Sequence, residues 1–241
     1  METRSIENTV VAVTGASSGI GRETARALVA CNAKVAVTAR RQDRLDELVS
    51  ELGDENVVAI AGDISDPATS EALVQAAISK FGRLDSLVAA AGVGLYGSVM
   101  DGSNEELTDM VTANFLGTVW SVRAAVPLLR ENGGDIVVVA SVAGLRGGAN
   151  EAVYAGTKAA QVIFAGAVDR ELRDAGIRVT TMCPAAVSTE FALGKGRTAG
   201  DPQLDAYMRP EDLADAIVFT LQQPRRLRTT QWAMWSSAQG S

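Results

Sequence analysis

The chain has 241 residues, 47% hydrophobic but only 5% aromatic, enough to bury a sizeable core built from Ala, Val, Leu and Ile. A net charge of −7 denies it the cationic footprint that a nucleic-acid partner needs, and no apolar run approaches the length of a membrane span. With no histidine, a Ser-His-Asp triad and a Cys-His nucleophile pair are excluded, so acid–base chemistry falls to Tyr, Lys or carboxylates.

Apolar, β-branched runs alternate with longer helical patterns along the whole chain. The runs are residues 9–14 (TVVAVT), 34–39 (KVAVTA), 57–62 (VVAIAG), 84–91 (LDSLVAAA), 134–141 (GDIVVVAS) and 177–183 (IRVTTMC). Unbroken runs of this kind belong to strands buried on both faces. Helices are expected over 21–31, 43–52, 66–81, 105–130 and 153–175, and a last short strand within 229–235. Asp66 before Pro67 is a natural N-cap followed by proline at the first helical position, and Gly176 suits a left-handed C-cap. The βαβ rhythm predicts an α/β fold: one domain over residues 1–241, a doubly wound, Rossmann-type parallel sheet of about seven strands with helices on both faces. The Gly-rich, polar stretch 192–203 suggests a substrate flap near 190–208.

The opening METRSIENT lacks the basic flank and apolar stretch of a signal peptide, and Cys31 and Cys183 stand far apart in apolar settings. Two reduced thiols, no metal site and a cytoplasmic location are the expectation.

After the first strand come Gly15, Gly19 and Gly21, then an amphipathic helix. Glycines there allow a tight turn and a close backbone approach to a pyrophosphate at the positive end of a helix. The second strand runs into TARRQDRL, where Arg40 and Arg41 precede any carboxylate. A guanidinium grips the 2′-phosphate of NADP bidentately, whereas a carboxylate would repel it. NADP(H) is therefore preferred over NAD(H).

In EAVYAGTKAAQ a tyrosine precedes a lysine by four residues, so Tyr154 and Lys158 share one helix face. A free phenol has a pKa of about 10, and bringing it near neutrality needs about 4 kcal/mol of differential stabilisation. One water-screened ammonium falls short of that; an oxidised nicotinamide ring supplies a second positive charge. Beside that cofactor a phenol can protonate a carbonyl oxygen as hydride arrives.

TGASSGIG at 14–21, YAGTK at 154–158, and Ser141 thirteen residues before the tyrosine together resemble the short-chain dehydrogenase/reductases, over residues 9 to about 235. The resemblance implies that Tyr154 is the general acid/base, that Lys158 lowers its pKa and bonds the nicotinamide ribose, that Ser141 orients the substrate oxygen, and that Asn114 holds a relay water. It places Asp63 and Ile64 at the adenine, Ser17, Ser18 and Ile20 on the phosphate turn, Ala90 and Gly92 beside the cofactor, and Pro184, Val187 and Thr189 near the carboxamide. Two departures stand out: Ala89, Ala90 and Ala91 precede Gly92 where Asn-Asn-Ala-Gly is usual, and Ala185 follows Pro184 where glycine is usual. The first removes amide bonds that brace the central strands; the second puts the local backbone in question, because alanine tolerates positive φ poorly.

Residues just past the strand ends should line the substrate pocket: Gly94, Leu95, Tyr96, Val142, Leu145, Arg146 and Phe191. This mainly apolar set suits a medium-sized ketone, aldehyde or secondary alcohol, with Arg146 available to an anionic group. The reading is a carbonyl reductase or alcohol dehydrogenase. A 3-oxoacyl thioester reductase is the alternative among enzymes, and a cofactor-binding regulator without turnover the alternative outside them. By resemblance, the helices 105–130 and 153–175 should pair between subunits of a homodimer or homotetramer, and Trp232 and Trp235 should bury against a neighbour or the chain's own sheet edge.

Overall fold

The computed structural model describes residues 3–239; the two outermost residues at each end of the expected 1–241 domain lie outside it. The elements run β1 (Val10–Thr14), α1 (Gly19–Ala30), β2 (Lys34–Ala39), α2 (Gln42–Leu52), β3 (Val57–Ala61), α3 (Pro67–Phe81), β4 (Ser86–Ala89), α4 (Asn104–Val111), a π-helical turn (Thr112–Leu116), α5 (Gly117–Asn132), β5 (Gly134–Val139), α6 (Ala152–Leu172), β6 (Ile177–Pro184), α7 (Pro210–Gln222) and β7 (Gln231–Met234). One sheet of seven strands forms in the order β3-β2-β1-β4-β5-β6-β7, and every pairing is parallel. The order reverses between β1 and β4, and the crevice beyond that switch point is where ligands bind in such sheets.

Both faces of the sheet are covered, which is why the strands read as unbroken apolar runs. Along β1, Val11 and Val13 pack on one side with Leu28 of α1, Leu45 and Leu48 of α2, and Ile217 and Leu221 of α7. Val10 and Ala12 face the other side, with Leu73 of α3, Leu129 of α5 and Val168 and Leu172 of α6.

The helix ends follow local chemistry. Asp66 accepts a bond from the Ala68 amide with Pro67 behind it, and Gly82 closes α3 in the left-handed region at φ 77°. Ser103 and Glu106 form a reciprocal capping box on α4. Gly176, at φ 71°, ends a short 3₁₀ turn over Arg173–Ala175 that continues α6.

Three expectations need correction. The single helix expected over 105–130 is α4 and α5 joined through the π-turn, an extra backbone residue that the apolar periodicity hides. Helix α7 was not foreseen; Pro210 at its first turn and the acidic pair Glu211 and Asp212 were the available signals. Ala185 does not take a positive φ, so alanine fits there without strain.

At the amino edge of the sheet, the nearly buried carboxylate of Asp135 pairs with Arg178 at 2.6 Å, Arg4 at 2.7 Å and Arg225 at 3.0 Å, joining β5, β6 and two flanking segments. Removing the anion leaves three cations facing one another, one of them buried. Asp135→Asn should lower the free energy of unfolding by roughly 3 kcal/mol in urea titration, while leaving the cleft at the opposite edge intact.

Candidate active site

The carboxyl ends of β1, β4, β5 and β6 open into one cleft of about 1220 Å³. On its floor is the glycine turn. Gly15 adopts φ 74°, and a Cβ there would lie 2.8 Å from the Ala91 Cα; a Cβ on Gly21 would lie 2.5 Å from the Gly15 carbonyl oxygen. Side chains are sterically barred, so the backbone forms a bare cradle against the start of α1, the geometry a pyrophosphate requires.

The lost asparagines after β4 are compensated by the first strand. The Thr14 hydroxyl oxygen accepts bonds from the Ala90 and Ala91 amides at 3.1 and 3.0 Å, so the backbone brace between β1 and β4 survives.

Gly15, Ser17, Ser18, Gly19, Ile20, Gly21, Arg40, Arg41, Asp63, Ile64, Ala90, Gly92, Pro184, Val187 and Thr189 all line the cleft. At its outer end the Arg41 guanidinium donates to Ser17 Oγ, at 3.2 Å from one terminal nitrogen, and to Glu190 at 2.9 Å. Arg44 stands 3.8 Å from the same Glu190 carboxylate. Asp63 accepts bonds from the Ser65 amide and hydroxyl at 2.9 and 2.7 Å. Burial opposes its ionisation, yet these bonds and the Arg40 charge hold its carboxyl below the usual range.

Toward the middle of the sheet, Ser141 caps the end of β5. Its hydroxyl donates to the Pro184 carbonyl at 3.2 Å and accepts from the Ala143 amide at 3.1 Å. Tyr154 and Lys158, on the first turns of α6, are 6% and 4% exposed. The Lys158 ammonium donates to the Val139 carbonyl at 3.0 Å and lies 5.7 Å from the Tyr154 ring centroid. Burial pushes the lysine pKa down to about 8, with Cys183 acting the other way. Burial also raises the Tyr154 pKa well above its ordinary value, outweighing the nearby Ser141 hydroxyl and the charge of Arg197. In the free protein, Tyr154 is therefore a firmly protonated phenol.

Asn114 does not reach the cleft wall. It is fully buried in the π-turn, where its side chain accepts from the Val93 amide at 2.7 Å and donates to the Val93 carbonyl and the Thr157 hydroxyl at 2.9 and 3.0 Å. Of the substrate-pocket expectations, Gly94, Leu95, Tyr96, Val142, Arg146 and Phe191 line the cleft. Leu145 does not; it is 43% exposed, because the 3₁₀ turn over Val142–Gly144 carries it past the mouth. Tyr96 and Phe191 face the Tyr154 ring with centroids at 5.6 and 5.7 Å. Sequence reasoning missed Glu151, Glu190, Arg197 and Tyr207 on the same wall. Trp235 also lines the cleft, beneath Arg146. Trp232 instead bonds Thr220 of α7 at 3.0 Å, burying against the chain's own sheet edge.

A doubly wound sheet with a bare glycine cradle and a serine, tyrosine and lysine at its switch point is the architecture of a nucleotide-dependent oxidoreductase. Residues 9–199 match the family model described as short chain dehydrogenase. An uncharacterized oxidoreductase of Staphylococcus haemolyticus is 32% identical over 92% of this chain and 94% of its own length. Among solved structures, an alcohol dehydrogenase of the archaeon Thermococcus sibiricus complexed with 5-hydroxy-NADP superposes with a TM-score of 0.89 at 30% identity, over 98% of this chain and 99% of that one. A closed form of serine dehydrogenase complexed with NADP+ gives 0.90 at 30% identity over 97% of both chains. The chain belongs to the short-chain dehydrogenase family; it is an oxidoreductase that takes a nicotinamide cofactor and a small-molecule substrate.

The depressed pKa of Lys158 makes stability pH-dependent. The folded value lies below the unfolded one of about 10.4, so between the two the unfolded chain binds the extra proton and stability rises with pH. Cys183, raised by burial to about 11, acts in the opposite direction. The unfolding free energy of the wild type minus that of Lys158→Met should therefore climb from pH 8 to pH 10, by roughly 3 kcal/mol at most. Denaturant titrations at several pH values read this difference.

Proposed function

We propose that the protein is an NADP(H)-dependent oxidoreductase moving hydride between the nicotinamide and a medium-sized, largely apolar ketone, aldehyde or secondary alcohol, as a carbonyl reductase or alcohol dehydrogenase does. The observation that carries this is the tilted packing of the Tyr96 and Phe191 rings against the buried Tyr154, which puts an apolar recess against the one phenol flanked by Ser141 and Lys158. The similar solved structures titled alcohol dehydrogenase and serine dehydrogenase fit a carbinol–carbonyl conversion.

When bound, the cofactor supplies or accepts the hydride. Tyr154 gives its proton to the carbonyl oxygen during reduction, and burial keeps that proton in place until the substrate arrives. Ser141 turns its hydroxyl from the Pro184 carbonyl toward the substrate oxygen. Lys158 would hold the nicotinamide ribose and oppose the effect of burial on the phenol. Asn114 acts as a positioning residue, because its side chain ties the loop after β4 to the helix that carries the tyrosine. Arg40 and Arg41 would hold the 2′-phosphate, Asp63 and Ile64 the adenine, and Val187 and Thr189 the carboxamide.

Residues 190–208 are assigned as the substrate flap, built of turns, an isolated bridge between Leu193 and Arg197, and the 3₁₀ turn Pro202–Ala206. Ile163 on α6 and Val111 on α4 are 74% and 41% exposed, which supports a homodimer or homotetramer through α4–α5 and α6. Two unpaired cysteines agree with a cytoplasmic enzyme. For a thioester-reductase reading, the cleft rim would need to be cationic; Glu106, Asp109, Glu151 and Glu190 make it mixed.

Two measurements test this reading. Tyr154→Phe should lower kcat by at least about 100-fold while NADPH binding, followed by fluorescence, persists; a regulator without turnover would show no activity to lose. Arg41→Ala should raise the Kd for NADPH by about 10- to 100-fold with little effect on NADH, and an equal effect on both cofactors would refute the 2′-phosphate assignment.

A further inference from the structure

Arg197 lines the cleft with its guanidinium against aromatic rings. Its guanidinium carbon lies 5.5 Å from the ring centroid of Tyr207, 5.7 Å from that of Phe191 and 5.8 Å from that of Tyr96. One terminal nitrogen donates to the Val187 carbonyl at 2.9 Å. No carboxylate forms an ion pair with it among the described residues. The acidic groups nearby are engaged elsewhere: Glu106 with Lys195 at 3.1 Å, Glu190 with Arg41, and Glu151 with the Gly148 amide at 2.7 Å.

A half-buried guanidinium walled by three aromatic rings has lost much of its hydration, and such a charge is ordinarily paired. Here the position for the partner is the cleft itself, because Arg197 lines it together with Tyr154 and Ser141. Two of the rings that hold Arg197, Tyr96 and Phe191, are the rings packed at a tilt against Tyr154. The Arg197 charge also acts on the Tyr154 phenol, against the larger effect of burial.

We propose that Arg197 is the anion receptor of the substrate pocket, and that the substrate is a hydroxy or oxo carboxylate whose carboxylate pairs with Arg197 while its reacting oxygen faces Tyr154 and Ser141. The assignment rests on the hydride-transfer reading above and replaces its largely apolar substrate with one that carries a carboxylate beside the part met by Tyr96 and Phe191. A planar guanidinium takes a carboxylate through two parallel N–H bonds, which fixes the orientation of the rest of the molecule. In the oxidative direction, bound NADP+ would bring the positive charge that, with Lys158, favours loss of the Tyr154 proton to solvent; the carbinol C–H bond then breaks with its hydride passing to NADP+, the hydroxyl O–H bond breaks with its proton passing to the Tyr154 phenolate, the C=O bond forms, and the carboxylate is unchanged. Arg146, exposed at the mouth over Trp235, lacks the enclosure for this role.

The test compares 3-hydroxybutyrate with its methyl ester as substrates of the NADP+-loaded protein, alongside calorimetric binding of malonate. Wild type should prefer the acid. In Arg197→Met the acid-to-ester ratio of kcat/KM should fall about 100-fold, mainly through the KM of the acid, and malonate binding should vanish. Arg197→Lys should restore part of both. If the ratio and malonate affinity are the same in wild type and Arg197→Met, or wild type binds no malonate and favours the ester, the receptor assignment is overturned. If neither compound is turned over but malonate binding still depends on Arg197, the anion site stands and the hydroxy-carboxylate substrate assignment is overturned.

Discussion

One buried amide holds the site together. The Asn114 side chain binds the backbone of Val93 on both its polar groups and reaches Thr157 on α6, while its own carbonyl accepts from Gln161 and Thr118. Loop, π-turn and α6 are thus fixed to one another by bonds that water cannot contest. The irregular turn is what aims this side chain inward. Regular α-helical winding would rotate Asn114 away from Val93, leaving buried backbone groups without partners at a cost of several kcal/mol.

Within that frame, burial and charge act in opposition on the reacting groups. Enclosing Tyr154 favours the neutral phenol, and enclosing Lys158 favours the neutral amine. The close spacing of tyrosine and lysine suggests at first that the ammonium makes the phenol acidic. In the free cleft desolvation prevails, so the pair is set as a proton donor. A positive charge brought in alongside them is what would tilt the balance toward proton acceptance.

The strands were legible because a sheet covered on both faces needs continuous apolar runs, and Val10–Val13 and Ile136–Val139 supply them. The glycine turn and the tyrosine–lysine spacing were legible because each is local. What escaped notice depends on distant contacts. The π-turn leaves no mark in residue type, and Arg197 looks like any polar loop residue until Tyr96, Phe191 and Tyr207, drawn from two separate loops, close around it. The alanines after β4 were read as a loss, but the compensating hydroxyl sits far away in sequence, at Thr14.

Thr189, Glu190 and Phe191 are consecutive, yet they touch three different places: a Cβ on Gly19 would meet Thr189 at 3.1 Å, Glu190 pairs with Arg41, and Phe191 packs at a tilt against Tyr154. Three consecutive residues, joined by two peptide units, therefore reach from the Arg41 end of the crevice to Tyr154. Free energy exchanged along so short a tether obeys thermodynamic reciprocity: whatever the first ligand does to the affinity of the second, the second does to the first in equal measure.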